Sequence, residues 1–291
     1  ATSGYTPGYE KLGRTFSSSK LADIKINGTK TKVLIFTGGY DLDQDYTGNN
    51  TRKTDDLGNT LYIADAETGK LLWSASNTGA NLNIATMNHS MPASPTIIDV
   101  NRDGLADIIY AADLGGQVFR FDIDSANTSV SNLASGGRIA SLGGASKADN
   151  RRFFTTPDVA FIQERGNKPY FTISLGTGFR ESPLNTDTTD RFYVLRDKDV
   201  YAKPSSYETI TEGDLVDVSG VNLTTTQSTQ ILADIQVLEN KKTDLNVAVS
   251  NAQDSFKSYK FAIGYTDKID TATSKYNAAN DKQREIDNLT A

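Results

Sequence analysis

From about residue 14 to about residue 200, apolar residues come in short runs separated by glycine and acidic turn residues. Val33-Leu34-Ile35-Phe36 closes on Gly38-Gly39. Leu61-Tyr62-Ile63 leads into the turn Asp65-Ala66-Glu67-Thr68-Gly69, and Leu71-Leu72-Trp73 follows it. Thr96-Ile97-Ile98 and Ile108-Ile109-Tyr110 flank an aspartate-rich stretch. Between Gln117 and Ile123 the alternation is strict. Phe119, Phe121 and Ile123 share one face and Val118, Arg120 and Asp122 the other, the period-two signature of a strand. Further strands are expected in Phe153–Ile162, Pro169–Leu175 and Arg191–Leu195. Closely spaced strands with glycine and aspartate turns, and no helical period between them, predict an antiparallel all-β domain, either a sandwich or a propeller.

The period changes after about residue 220. Ile231, Ile235, Leu238, Lys242, Leu245, Val249, Ala252, Phe256, Tyr259 and Ile263 follow an alternating four-three spacing in which only Lys242 is polar. Ser and Thr residues at 224–229 offer N-caps, no proline follows Pro204, and Gly264 predicts a break. Ile269, Ala272, Tyr276, Ala279, Gln283 and Ile286 then resume out of register. This predicts two long helices, paired as an antiparallel coiled-coil hairpin or as two arms of a small bundle. One long helix lying along the β domain is the alternative. The expected organisation is a β domain over residues 1–220 and a helical hairpin over 221–291.

Composition narrows the chemistry. The chain has 291 residues, 37% of them apolar, enough for a sizeable core, and a formal net charge of −6. The acidic balance argues against nucleic acid as a partner, since phosphates demand a basic face. Without cysteine there are no disulfides, thiolate metal sites or cysteine nucleophiles. The single histidine, His89, weakens any case for a histidine zinc site or a Ser-His-Asp triad, and a structural role in its turn-rich stretch is expected. The paired Arg151-Arg152 and Arg180 are expected in structural ion pairs. No enzyme activity is predicted. No apolar run approaches the roughly 18 residues of a membrane span. The N-terminal Ala1-Thr2-Ser3-Gly4 shows neither a signal peptide nor an initiator Met, which suggests a mature protein or an excised fragment of an exported one.

The strongest chemical signal is Asp99-Val100-Asn101-Arg102-Asp103-Gly104-Leu105-Ala106-Asp107. Oxygen donors at alternate positions of a tight loop can wrap a hard cation, the seventh position contributing its backbone carbonyl. Here those positions are Asp99, Asn101, Asp103, Leu105 and Asp107, and Gly104 supplies the sharp turn at the sixth. Three carboxylates this close repel one another unless a cation lies between them. Strands flank the loop instead of helices, and Tyr110 stands where an EF-hand has its bidentate glutamate, so water or another residue must complete the shell. Ca2+ is the predicted ion, since Mg2+ prefers a small octahedron and keeps its waters. The plainer reading is a hairpin turn in which the carboxylates cap backbone amides. A second alternation, Asp41-Leu42-Asp43-Gln44-Asp45, has Tyr46 where the glycine should be and is the weaker candidate.

The run from Leu61 to Trp73 resembles the blade repeat of quinoprotein-type β-propellers, in which a strand ends in an Asp-Ala-x-Thr-Gly turn and the next carries a tryptophan wedged between blades. Asp113-Leu114-Gly115-Gly116-Gln117 through Asp122 resembles a diverged second blade. About three blades' worth of strands are present, fewer than the roughly four to eight that close a propeller. The chain is then part of something longer, or its sheets stack without closing. Trp73, Phe119, Phe121 and Tyr193 are expected to pack between blades.

Lys11-Leu12-Gly13-Arg14-Thr15-Phe16-Ser17, Gly38-Gly39-Tyr40-Asp41, the Asp65–Trp73 turn, Met91-Pro92-Ala93-Ser94-Pro95 and Asp99 through Asp122 occur in one order. Gly176-Thr177-Gly178-Phe179-Arg180, Pro183-Leu184 and Asp190-Arg191-Phe192-Tyr193 continue it. Together they resemble the C-terminal domain of the PilY/PilC family of type IV pilus tip-associated proteins. The resemblance implies a modified β-propeller and a Ca2+ loop at Asp99–Asp107. It also implies a cell-surface or pilus-tip location and a role in pilus extension, retraction, twitching motility and adhesion, with pilus machinery, minor pilins or a host surface as partners. Residues 221–291 depart from the family pattern and read as an insertion or extension. A quinoprotein dehydrogenase, and a structural scaffold in which Ca2+ only pins a turn, are the alternatives. The first is disfavoured by too few blades and by ligands that are contiguous in sequence.

Overall fold

A computed structural model describes residues 6–46, 52–163, 166–219, 225–260 and 266–289. The N-terminal Ala1–Gly4, the cap at Thr224, the break at Gly264 and the 220/221 boundary lie outside them. The chain divides into two compact units, Ala1–Ile162 with Pro169–Val216, and Gln163–Lys168 with Asp217–Ala291. Among the described residues no helix is long and apolar enough to cross a membrane.

Among the described residues the first unit is built from three sheets. The first contains β1 (Lys20–Ile26), β2 (Thr29–Thr37), β3 (Thr60–Asp65), β4 (Leu71–Ser76) and β5 (Leu82–Asn83), in sequence order. The second runs β13-β9-β8-β7-β6, from β6 (Thr96–Ile98), β7 (Ile108–Ala112), β8 (Gln117–Ile123), β9 (Ala134–Ser141) and β13 (Ile210–Thr211). The third holds β10 (Asp158–Ile162), β11 (Tyr170–Gly176) and β12 (Phe192–Asp197). Most pairing is antiparallel, as expected. The short pairs β4–β5 and β13–β9 are parallel, a departure from the purely antiparallel expectation. Among the described residues no sheet closes on itself; the fold is mainly β, and the sheets pack on one another through two cores.

The middle sheet is covered on both faces, and the strict alternation of β8 is why. Phe119, Phe121 and Ile123 join Ile35, Leu61, Ile63 and Trp73 in one core between the first and second sheets. Trp73 is fully buried there, edge-on to Phe121 at 6.4 Å between ring centroids. Ile108, Tyr110 and Val118 point the other way and meet Phe171, Ile173, Tyr193 and Leu195 of the third sheet. Each such buried side chain contributes roughly 1.5–3 kcal/mol.

The polar face of β8 is buried as well. Arg120 is 1% exposed and pairs with Asp122 at 2.6 Å and Asp197 at 2.7 Å. Tyr110 Oη donates to Asp197 and Tyr207 Oη to Asp122, so the two carboxylates are fully engaged. Arg151 is likewise buried, donating to Tyr193 Oη at 2.9 Å and pairing with Glu212 at 3.3 Å. Arg152 lies 3.9 Å over the Phe179 ring.

Several expected elements shift. Residues 153–157 are not strand, because Pro157 immediately precedes β10 and its missing N–H interrupts the ladder. Neither β1 nor β9 is among the expected strands: β1 alternates Ala22, Ile24 and Ile26 with Asp23 and Lys25, whereas β9 carries no strong period. β9 contains Gly136 and Gly137, poor strand formers, yet a Cβ at Gly136 would meet the Phe121 ring at 2.5 Å and one at Gly137 would meet Tyr207 at 2.5 Å. Tertiary packing demands the glycines where propensity argues against them.

The second unit contains α1 (Thr225–Lys260) and α2 (Thr266–Leu289). Lys241 pairs with Glu285 at 2.9 Å. With only a short link between the helices, that contact requires α2 to fold back antiparallel to α1. Leu245 and Ala279 are buried, whereas Lys242, Val249 and Ala252 are half-buried. A helical pair is established; coiled-coil packing along it is not.

Candidate metal centre

β6 and β7 form a hairpin with Thr96 opposite Tyr110 and Ile98 opposite Ile108, which leaves residues 99–107 as its loop at the edge of the second sheet. Asp107 N donates to Ile98 O at 2.9 Å and closes the loop's neck. The loop is anchored on both sides. Val100 packs against the core shared with the third sheet, and Ala106 belongs to the core shared with the first. Ala106 N also donates to Asp23 O in β1, and Asp23 is held by Lys30 and Lys32 at 3.1 Å each.

Between those anchors the chain curls through two left-handed residues, Arg102 at φ 61° and Gly104 at φ 81°. Gly104 takes this conformation freely, whereas Arg102 does so at roughly 1–2 kcal/mol. The curl places Asp99, Asn101 and Asp103 on the exposed side and turns Leu105 inward to 4% exposure.

The oxygens expected to bind a cation are engaged with the loop's own amides. Asp99 Oδ2 accepts from Gly104 N at 2.9 Å, Asn101 Oδ1 from Asp103 N at 2.9 Å, and Asp103 Oδ1 from Leu105 N at 2.9 Å. Asp107 Oδ2 accepts from Val100 N at 2.8 Å. Among the described residues no group of three acidic or histidine side chains is gathered as an ion-holding cluster. The capping arrangement is therefore present in its own right.

The donors nevertheless suit a hard cation in kind. All are oxygens, and each carboxylate that caps one amide keeps further acceptor capacity. Asp107 shows the cost of crowding them. Burial pushes its carboxyl above the ordinary range, amide bonds from Val100 and Asn101 pull it back, and the charges of Asp103 and Asp99 push it further up.

The expected second acidic stretch behaves differently. Residues 42–46 form a 3-10 turn, and its carboxylates diverge. Asp41 caps Asp43 N and Leu57 N, Asp45 accepts from Tyr40 Oη at 2.6 Å, and Asp43 pairs with Lys53 at 3.5 Å. They share no centre.

Next to this turn lies His89, structural as expected. It is 3% exposed, its Nδ1 donates to Lys53 O at 2.5 Å, and its Nε2 accepts from Arg52 Nε at 3.1 Å. Gly115 makes room for the ring, since a Cβ there would sit 2.0 Å from His89 Cδ2.

What the sequence did not reveal near the loop is its neighbourhood. Asn101 and Asp107 border a cavity of about 220 Å³ with Arg120, Asp122 and residues 200–203. The polar positions of β8 were visible in its alternation, but their partners lie about 80 residues downstream, beyond any local signal.

The PilY1 beta-propeller domain family model matches residues 9–164, more than half of the chain and the part that includes the hairpin loop. The chain belongs to the PilY1 beta-propeller domain family. A crystal structure of the Pseudomonas aeruginosa PilY1 C-terminal domain is similar to it, with 22% sequence identity and a TM-score of 0.49. The similarity covers 70% of this chain and 42% of that one, so the chain spans less than half of that domain's length. No curated protein matches. The PilY1 match includes the first sheet, β6 to β9 of the second sheet and β10, and it ends before β11, β12, β13 and both helices.

Proposed function

We propose that this chain is a Ca2+-binding part of a type IV pilus-associated protein at the cell surface, acting in pilus extension and retraction, twitching motility and adhesion. Its partners would be the pilus machinery, minor pilins or a host surface, and its role would be binding, not catalysis. The observation that carries the proposal is the 99–107 loop, an all-oxygen curl with left-handed turns at Arg102 and Gly104, inside the segment that matches the PilY1 family. Asp99, Asn101, Asp103 and Asp107 would hold the ion through side-chain oxygens and Leu105 through its carbonyl. Bound there, Ca2+ would offset the mutual repulsion of three carboxylates.

The chain's own residues explain how the loop's order could reach a partner surface. Val100 and Ala106 tie it to two cores, while Asp107 and Asn101 border the cavity whose far wall is the exposed segment 201–203. Ordering the loop would bias that face between two states. A second reading has its own support. Because the side chains already cap four loop amides, the ion would only pin a turn.

Calorimetric titration should show one Ca2+ site with clear preference over Mg2+, lost in Asp99→Ala and Asp103→Ala; tight binding that survives both substitutions rules this loop out. In the full-length protein the same variants should alter twitching or piliation without unfolding it. If they express, fold and leave motility, pilus number and adhesion unchanged, the regulatory reading fails and the pinned turn remains.

A further inference from the structure

A second cavity, of about 750 Å³, lies away from the hairpin loop, and aromatic rings line it. Tyr40 is at its centre, with Phe16 at 6.1 Å and Phe154 at 6.3 Å between ring centroids, both tilted. Asp45, Glu181 and Arg180 supply the charges of the wall. Four separate chain segments contribute these residues, so only the fold assembles the site.

The cage is held open by backbone contacts. Tyr40 and Arg14 exchange a pair of 2.8 Å amide hydrogen bonds, which fixes the central ring. Gly39, at φ 91°, allows the approach, because a Cβ there would lie 2.3 Å from Arg14 O. Phe16 gains little from burial at 71% exposure. A large ring standing in water beside a preformed cavity is better accounted for by a ligand than by the core.

Electrostatics select the ligand class. The Tyr40 phenol donates to Asp45 Oδ1 at 2.6 Å, and the Glu181 carboxylate lines the same cavity. Two carboxylates thus bring like charges to one rim. Donation to an anion also enriches the phenol ring in electron density and strengthens its negative face. Aromatic faces attract diffuse, weakly hydrated cations and cannot replace the water shell of a compact metal ion. Methyl groups on nitrogen add dispersion contacts with three rings at once.

We propose that this cavity binds a quaternary ammonium group, its methyls against Phe16, Tyr40 and Phe154 and its charge balanced by Asp45 and Glu181. The exposed Arg180 guanidinium is an internal competitor for the same place.

The test is titration of the whole chain with choline and with tetramethylammonium, followed by NMR line broadening or calorimetry. 3,3-Dimethylbutan-1-ol serves as the uncharged isostere of choline and n-butylammonium as the primary-amine control. Both quaternary ions should saturate a single site, and the neutral isostere should bind roughly five- to thirtyfold more weakly. Phe16→Ala and Glu181→Gln, both at exposed positions, should weaken choline several-fold with an unchanged melt, and Arg180→Ala should tighten it. Equal binding of the neutral isostere would reduce the site to an apolar hollow and overturn the proposal. So would equal or tighter binding of n-butylammonium, or no saturable binding of either quaternary ion. Choline affinity unchanged in both Phe16→Ala and Glu181→Gln would place the ion elsewhere and overturn it as well.

Discussion

Residues 41–45 and 99–107 alternate carboxylates in the same way, and the backbone puts them to different uses. The first winds into a tight 3-10 turn, so successive acids point apart and find separate partners in Leu57 N, Lys53 and Tyr40 Oη. The second is stretched between two strands and curled by left-handed residues, so its acids cap amides across the loop. Spacing of acidic residues proposes a cation site. Backbone curvature, set here by Gly104 and Arg102, decides whether the oxygens can face a common point. The comparison also shows why a missing glycine matters: with Tyr46 at the equivalent position, residues 41–45 do not form the same curl.

The largest effect should separate the two turns outright. Asp103→Ala should lower Ca2+ affinity at least about a hundredfold, through loss of a charged ligand and its amide cap, while Asp43→Ala leaves the isotherm unchanged. A comparable loss from Asp43→Ala would erase the distinction. Acidification should weaken Ca2+ binding first, because Asp107 is already hard to ionise in the metal-free loop.

The next effect belongs to the 41–45 neighbourhood and is independent of Ca2+. Burial, and then the Arg52 charge, hold the His89 pKa down at about 4, below its ordinary 6.5, with the Lys53 carbonyl opposing them. A depressed histidine pKa stabilises the fold above the unfolded value, and this contribution is lost as pH falls from 6.5 through 4. Across that window it amounts to about 3 kcal/mol. Urea unfolding of wild type and His89→Gln between pH 7 and pH 4 measures it, and the acid loss should be smaller in the variant. An identical pH slope in both would remove His89 as the cause.

Asp41→Ala should follow, at roughly 1–3 kcal/mol, because it strands the amides of Asp43 and Leu57 beneath a buried carboxyl position. Asp99→Ala in metal-free protein should cost less, since its amide partner Gly104 is exposed to water. Reversal of that order in denaturant melts would mean that the hairpin loop, not the 3-10 turn, is the structural one.

Gly104→Ala should be the mildest, costing about 1 kcal/mol. A Cβ there meets nothing nearer than Lys30 Nζ at 3.9 Å, so only the left-handed backbone resists it. A much larger loss would point to curvature that tolerates no relaxation at all.

Local signals in the chain were sufficient for much of this molecule. The alternation from Gln117 to Ile123 determined a strand with two distinct faces, and Leu61–Trp73 determined a hairpin whose tryptophan would be buried against a neighbouring sheet. The nine residues from Asp99 to Asp107 determined a curled, oxygen-rich loop, because glycine placement and donor spacing are properties of contiguous residues. The partners across space were decided by tertiary structure alone. Nothing near Arg120 announces that Asp197 and Tyr207 will close over it, nothing in Ala134–Ser141 reads as a strand, and nothing in Tyr40 announces Phe154 or Glu181. Periodicity records which face of an element is apolar. What covers the other face depends on contacts scores of residues away, and there burial and close approach outweigh local preference: two glycines sit in β9 because Phe121 and Tyr207 leave no space for a side chain.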